Sequence, residues 1–257
     1  MKGSSGGNNM LDLTGQVALV SGGSRGIGAA ICRVLAARGA KLAVNYRSSE
    51  AAAMKVCSDI KADGGVAHPF VGDVGDPAQV AQLVAAVTNT WGPVNILVHN
   101  AGLQHSAMAH RMSDEQWRAS LAVNLDAAFY LARAVLPAMR AAEAGVVVFI
   151  ASASGSIAQA GAAGYVAAKH GLIGLTKALA LESAAKGIRV NAVSPGLTDT
   201  DMVADLSPDQ RAGLLRMIPL RRIASPEEVA ATVDWVVRGA TYTTGNVFHV
   251  GGGVAMG

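Results

Sequence analysis

Val20-Ser21-Gly22-Gly23-Ser24-Arg25-Gly26-Ile27-Gly28 joins the end of an apolar run, Gln16 to Ser21, to the start of a stretch of helical period, Gly26 to Arg38. A strand that turns through glycines directly into a helix is where a doubly wound α/β sheet takes up a dinucleotide. Glycines permit the sharp turn and let backbone N–H groups come close to a pyrophosphate, and the helix N-terminus adds a favourable dipole. The spacing is Gly22-x-x-x-Gly26-x-Gly28; a Gly-x-Gly-x-x-Gly fingerprint would need glycine at 31, where isoleucine stands. Taken alone, the turn is also compatible with a tight strand-to-helix connection that binds nothing.

Outward from this turn, short runs rich in β-branched residues alternate with Ala-rich stretches of helical period, the pattern of a parallel sheet covered on both faces. Strands are expected at Gln16 to Ser21, Lys41 to Tyr46, Val66 to Val71, Val94 to His99, Val146 to Ala151, Arg189 to Ser194 and Asn246 to Val250. Helices are expected at Gly26 to Arg38, Ser49 to Ala62, Pro77 to Trp91, Ser113 to Ala142, Tyr165 to Ala185 and Pro226 to Arg238. Asp76-Pro77 and Ser225-Pro226 each set a capping side chain before a proline at the first helical position. The fold class is therefore α/β: a single-domain, Rossmann-like, doubly wound parallel sheet of about seven strands. One domain is expected from about Leu11 to Gly257, preceded by a Gly/Ser/Asn-rich flexible tail over residues 1–10. Leu197 to Ala224 breaks the rhythm and reads as a lid or binding loop.

Composition narrows the function. In 257 residues, 51% are hydrophobic and 15% charged, against the ~25% charged usual for soluble domains, so an uncharged or covered surface and a homo-oligomer are expected. The net charge of +3 is spread without a dense basic run, and aromatics are only 4%, which argues against a nucleic-acid partner. Apolar runs are interrupted, as at Arg133, Glu143 and Ser152, so no membrane span is expected. The opening residues lack the apolar core of a signal peptide, and the cytoplasm is the expected location. Cys32 and Cys57 lack metal or disulfide spacing, and no metal site is expected.

Two further clusters carry chemistry. The second strand ends in Asn45-Tyr46-Arg47-Ser48, with no carboxylate for a ribose 2'-hydroxyl; Arg47 and Arg25 could instead pair with a 2'-phosphate, which favours NADP(H) over NAD(H). Ser152 follows the strand at Val146, and Tyr165 and Lys169 stand four apart at the head of a helix, on one face. An ammonium near a phenol favours its ionised form, making tyrosine usable as acid and base near neutrality, with the serine hydroxyl orienting a carbonyl. Ser152 lacks a Gly-x-Ser-x-Gly context, so it reads as an orienter rather than a nucleophile.

Together these residues resemble the short-chain dehydrogenase/reductase family from Leu11 to the C-terminus. The resemblance rests on Ser21-Gly22 to Gly28, Asp73-Val74, His99-Asn100-Ala101-Gly102, and Ser152, Tyr165 and Lys169 at the family spacing. It implies a catalytic tetrad of Asn124, Ser152, Tyr165 and Lys169: Tyr165 as proton donor in reduction, Lys169 lowering its pKa and holding the nicotinamide ribose, and Ser152 positioning the carbonyl. Asn124 would help hold a water leading from Lys169 to solvent, which needs a local break in its helix. It further implies that NADP(H) is held by Gly22, Ser24, Arg25, Ile27, Gly28, Tyr46, Arg47, Ser48, Asp73, Val74, Asn100, Ala101, Gly102, Tyr165 and Lys169, and by Pro195, Gly196, Thr198 and Thr200 near the carboxamide. Serine at 21 replaces the family's threonine and keeps the hydroxyl; histidine at 99 replaces its first asparagine.

Within the family, Tyr165 to Lys177 is most like the 3-oxoacyl-(acyl-carrier-protein) reductases. The substrate would be a small-molecule carbonyl compound, free or linked to acyl-carrier protein or CoA, and the assembly a homotetramer pairing through Ala119 to Met139 and Val166 to Ala184. Lys186 keeps one of the two basic positions on which a carrier protein would dock, and Val146 stands at the other. Ala162, Ala163 and Gly164 suggest either a roomy apolar pocket mouth or simply close packing, and His105 either a substrate contact or an exposed loop residue. Three functions remain open from sequence: an NADPH-dependent ketoreductase, an enzyme oxidising a sugar or other secondary alcohol, and a non-catalytic dinucleotide sensor.

Overall fold

The computed structural model describes residues 10–200 and 208–255. The expected N-terminal tail thus lies almost wholly outside the described residues, as does part of the lid. Seven strands form one parallel sheet: β1 (Val17–Ser21), β2 (Lys41–Tyr46), β3 (Val66–Val71), β4 (Ile96–His99), β5 (Gly145–Ile150), β6 (Ile188–Pro195) and β7 (Val247–Val250), in the order β3-β2-β1-β4-β5-β6-β7. Every residue of β1 and β4 is buried, which is why the central strands read as unbroken apolar runs rather than alternations.

The chain winds from β1 outward to β3, then returns to the far side of β1 as β4, so the topological switch point lies between β1 and β4. One core lies beneath α1 (Gly26–Ala36) and α2 (Glu50–Ala62), with Ile31, Leu35, Leu42 and Val44 among its buried members. The other lies beneath α3 (Pro77–Trp91) and continues under the helices that follow β4 and β5, with Leu19, Leu97, Leu131, Phe149 and Leu172. Asp76 caps α3, accepting from the N–H groups of Ala78 and Gln79.

Most element ends fall within a residue or two of expectation. The stretch Ser113 to Ala142 does not form the single helix expected. It divides into α4 (Asp114–Leu121), a π turn (Ala122–Asp126) and α5 (Ala127–Ala142). Asn124 accounts for the break: its side-chain amide donates to the Ser120 carbonyl at 2.9 Å and to the Leu103 carbonyl at 2.7 Å, diverting the ladder from regular i→i+4 pairing. By length and composition alone, the run Asp114–Ala142 could cross a bilayer, which the interrupted apolar pattern did not suggest. Its inward face, Ala127, Ala128, Leu131, Ala132, Val135 and Met139, is buried in the second core.

α6 (Ala163–Ala184) starts two residues before Tyr165, and α7 (Pro208–Met217), unanticipated, lies within the expected lid. The Ser207-Pro208 pair has the same form as Asp76-Pro77 and could have flagged it. α8 (Pro226–Arg238) completes the first core and begins with a capping box between Ser225 and Glu228. Cys32 and Cys57 are both buried and free, and the described residues contain no cluster suited to a metal.

Candidate active site

The carboxyl ends of the strands gather the residues expected from sequence to hold a cofactor or carry the chemistry. Gly22, Ser24, Arg25, Ile27 and Gly28 follow β1; Tyr46, Arg47 and Ser48 end β2; Asp73 and Val74 follow β3; Asn100, Ala101 and Gly102 follow β4. Ser152 follows β5, Pro195, Gly196, Thr198 and Thr200 end β6, and Asn124, Tyr165 and Lys169 lie on the π turn and α6.

The glycine turn is shaped by close backbone approaches. A Cβ on Gly28 would stand 2.1 Å from the Gly22 carbonyl oxygen, and one on Gly22, at φ 62°, would stand 2.9 Å from Ala101 Cα. Asn100 locks the turn from β4, its amide donating to the carbonyls of Ser21 at 3.3 Å and Gly22 at 3.0 Å. The N-terminus of α1 has no side-chain cap and no acidic residue in its first turn. A helix start left open in this way, behind a glycine cradle, suits an anion such as a pyrophosphate, so these residues fit a dinucleotide.

The ends of β2 and β3 are more crowded than the sequence suggests. Arg47 Nη1 lies 3.7 Å from Asp73 Oδ2, so the guanidinium already faces a carboxylate. Asp73 Oδ1 accepts from the Gly75 N–H at 2.9 Å, and the Asp73 N–H donates to Gln79 Oε1 at 2.9 Å. Glu50 lies beside Tyr46 and, after burial, is the next influence raising that phenol's pKa, so a carboxylate is present at the first position of α2. Asn45, not singled out from sequence, bridges β2 and β3 by donating to the carbonyls of Phe70 and Gly72 at 3.2 and 3.1 Å.

At the other end, Tyr165 and Lys169 are 9% and 3% exposed and Asn124 is fully buried. Burial pushes the Tyr165 phenol above its ordinary value, and the Ser152 hydroxyl pulls it the other way. The same desolvation lowers Lys169 to about 7. Lys169 Nζ lies 5.6 Å from the centre of the Tyr165 ring and donates to the Ile150 carbonyl at 2.8 Å. The i,i+4 spacing thus brings the amine over the ring face. Ser152 Oγ accepts from the Ser154 N–H at 3.1 Å. The helix break expected at Asn124 is present as the π turn, and Oδ1 of Asn124 accepts from the Leu103 N–H at 3.3 Å.

Of the small residues before Tyr165, Ala162 is fully buried and forms a bridge with Ala107, and a Cβ on Gly164 would stand 3.0 Å from Ser120 Cβ. These two let the loop and α6 pack against their neighbours; Ala163 is exposed. His105 is half-buried in the loop after β4. Beside the site, a cavity of about 320 Å³ lies at the lid stem, lined by Asp199, Leu215, Arg221, Arg222, Ile223 and Ala224 among others. The stem is pinned by the Asp199 N–H to the Ala224 carbonyl at 2.9 Å and the Ala224 N–H to the Leu197 carbonyl at 3.1 Å.

Comparison with known proteins places this geometry in context. The 3-oxoacyl-[acyl-carrier-protein] reductase FabG of Salmonella typhimurium is 40% identical over 247 residues, covering 96% of this chain and 100% of the relative. The corresponding reductase of Synechocystis is 41% identical over 249 residues with the same coverage. A crystal structure from Agrobacterium tumefaciens, provisionally assigned as a gluconate dehydrogenase, superposes with a TM-score of 0.91 at 31% identity, over 95% of this chain and 97% of that one. The family model for short chain dehydrogenases matches residues 16–211. On this match, and on relatives aligned along their whole length, the chain belongs to the short chain dehydrogenase family.

Proposed function

We propose that the chain is a ketoreductase that transfers hydride from NADPH to the keto group of a 3-oxoacyl thioester or a related ketone, with Tyr165 supplying the proton. The observation that carries this reading is the convergence of Tyr165, Ser152, Lys169 and Asn124 at the strand ends beside the uncapped start of α1. Bound NADPH would supply the hydride. Ser152 Oγ, on the Tyr165 side of the strand end, would hold the carbonyl oxygen. A phenol raised by burial is protonated at neutral pH, the form a reduction needs. Lys169, when it carries its proton, would stabilise the phenolate left after transfer, and Asn124 would fix the π turn through which that proton is replaced. The relatives' names point to an acyl-carrier-protein-linked substrate, and Lys186 offers one basic contact for such a carrier, although it pairs with Glu143 Oε1 at 2.8 Å.

The assay follows loss of reduced-nicotinamide absorbance with a 3-oxoacyl thioester and simple β-keto esters, using NADPH and NADH in parallel. NADPH is expected to be preferred. Arg47→Ala should raise the NADPH KM roughly tenfold, the scale of one charge-assisted contact, and leave the NADH KM nearly unchanged. Equal use of both cofactors, with Arg47→Ala indifferent to either, would overturn the NADP assignment. Rapid oxidation of a sugar acid with NAD, and no ketone reduction, would overturn the ketoreductase reading.

The pH dependence has a definite sign. Lys169 titrates at about 7 in the free protein, so raising the pH through that value removes the ammonium. kcat/KM for reduction is expected to be level below about pH 7 and to fall about tenfold per unit above it, since this quantity reports the free enzyme. A profile that stays level or rises to pH 9 would contradict the role of the ammonium. The reading also includes a homotetramer: Phe129 and Leu181, on α5 and α6, are 42% and 84% exposed. A single-chain mass by light scattering would count against it.

A further inference from the structure

Ser21 and His99, at the carboxyl ends of β1 and β4, are both fully buried. They are register partners across the switch point, and Ser21 Oγ lies 2.9 Å from His99 Nδ1. Ser21 Oγ also accepts from the backbone N–H groups of Asn100 at 3.0 Å and Ala101 at 3.1 Å. A hydroxyl has one proton and two lone pairs. With both lone pairs taken, its proton is directed at Nδ1, which leaves the imidazole proton on Nε2.

Nε2 meets no acceptor in full hydrogen-bond geometry, and the polar group it donates towards is the backbone of Val123 in the π turn. Its surroundings are the ring of Phe149, 6.4 Å away and edge-on, the backbone of Val123 in the π turn, and the charge of Lys169. Among the described residues acting on His99, Lys169 is the one ionisable side chain. Burial first, and Lys169 second, hold the imidazole at about 3, so the ring is neutral throughout the working range.

We propose that Ser21 and His99 form one positioning pair, in which Ser21 fixes His99 as the neutral Nε2–H tautomer and the ring ties the glycine turn to the π turn beside Lys169. This rests on the ketoreductase reading for its effect on rate, but not for its existence. The two positions at which the chain departs from the family pattern in these motifs are thus the two ends of a single hydrogen bond. A threonine at 21 would add a methyl to a fully buried position bonded to the ring, and a neutral ring adds no second positive charge next to the Lys169 amine.

Two measurements test the pair. In histidine-labelled protein, ¹H–¹⁵N correlation is expected to show His99 as the neutral Nε2–H tautomer, unchanged between about pH 5 and 8. An Nδ1–H tautomer, or titration in that interval, would overturn the proposal, and neither result depends on turnover. In the second, Ser21→Thr and His99→Asn are each expected to lower kcat about tenfold, with the double variant recovering to within about threefold of the parent because the two sites are coupled. Losses that simply multiply in the double variant would sink the pair. A parent protein that reduces no ketone would defeat the ketoreductase reading while leaving the tautomer result to decide this one. Melting temperatures of the four proteins give the same coupling where a single variant is too weakly folded to assay.

Discussion

Replacing Tyr165 with phenylalanine is expected to lower kcat for ketone reduction by about 10³-fold while changing NADPH affinity only a few-fold. The ring stays in place, because the substitution keeps the apolar surface that buries Tyr165 at the head of α6, and the Lys169 amine still lies over the ring face. Only the hydroxyl beside Ser152 is lost, and with it the proton that reduction must deliver to the new alkoxide. Retention of most of the activity in the phenylalanine variant would mean that water or another side chain supplies this proton. The raised pKa keeps the phenol protonated before transfer, the form a reduction starts from, while the Ser152 hydroxyl favours the phenolate that transfer leaves.

A second large loss, in cofactor binding rather than turnover, is expected from Gly28→Ala. The added Cβ would stand 2.1 Å from the Gly22 carbonyl oxygen and 2.6 Å from Asn100 Nδ2, and backbone cannot yield as a flexible side chain can. The turn must open, costing about 1–3 kcal/mol of stability by overpacking, and NADPH binding should fall at least about a hundredfold because the N–H groups that face a pyrophosphate are displaced. Gly174→Ala is the control. It lies in α6 with nothing within 4 Å of its would-be Cβ, so the same change there should leave binding intact and stabilise the helix by about 0.5–1 kcal/mol. Calorimetric NADPH titration and thermal unfolding separate the two; equal binding by both variants would contradict the cradle.

What could be read from sequence and what could not divides along sequence distance. The central strands were legible because a strand buried on both faces is a plain apolar run, and α3 and α8 because Asp76-Pro77 and Ser225-Pro226 announce their starts locally. Tyr165 and Lys169 were legible as a pair because four residues on a helix make one face. The π turn was expected only through family resemblance, since its cause is an amide of Asn124 reaching a carbonyl 21 residues away at Leu103. His99 had no reading at all, because its partner Ser21 lies 78 residues distant. The same limit applies to the Lys169 amine: spacing placed it near Tyr165, but the Ile150 carbonyl that receives it comes from β5. Arg47 was read as available for a phosphate, whereas β3 brings Asp73 to it, so a 2'-phosphate would have to compete with that carboxylate.

The small residues before Tyr165 show a different ambiguity. Alanine and glycine are consistent both with an open pocket and with close packing, and only the neighbours decide. Ala107 and Ser120 decide for packing at Ala162 and Gly164.

In the proposed reaction, this chain's strand-end cluster directs hydride from NADPH to a ketone carbon with proton delivery from Tyr165. The most direct test is a single turnover with NADPH carrying deuterium at the transferring position of the nicotinamide and a 3-oxoacyl thioester, read by mass spectrometry. One deuterium on the carbinol carbon of the 3-hydroxyacyl product, formed by the parent protein and not by Tyr165→Phe, is the result expected. Recovery of unreduced thioester with undiminished NADPH, or equal labelling by the phenylalanine variant, would contradict it.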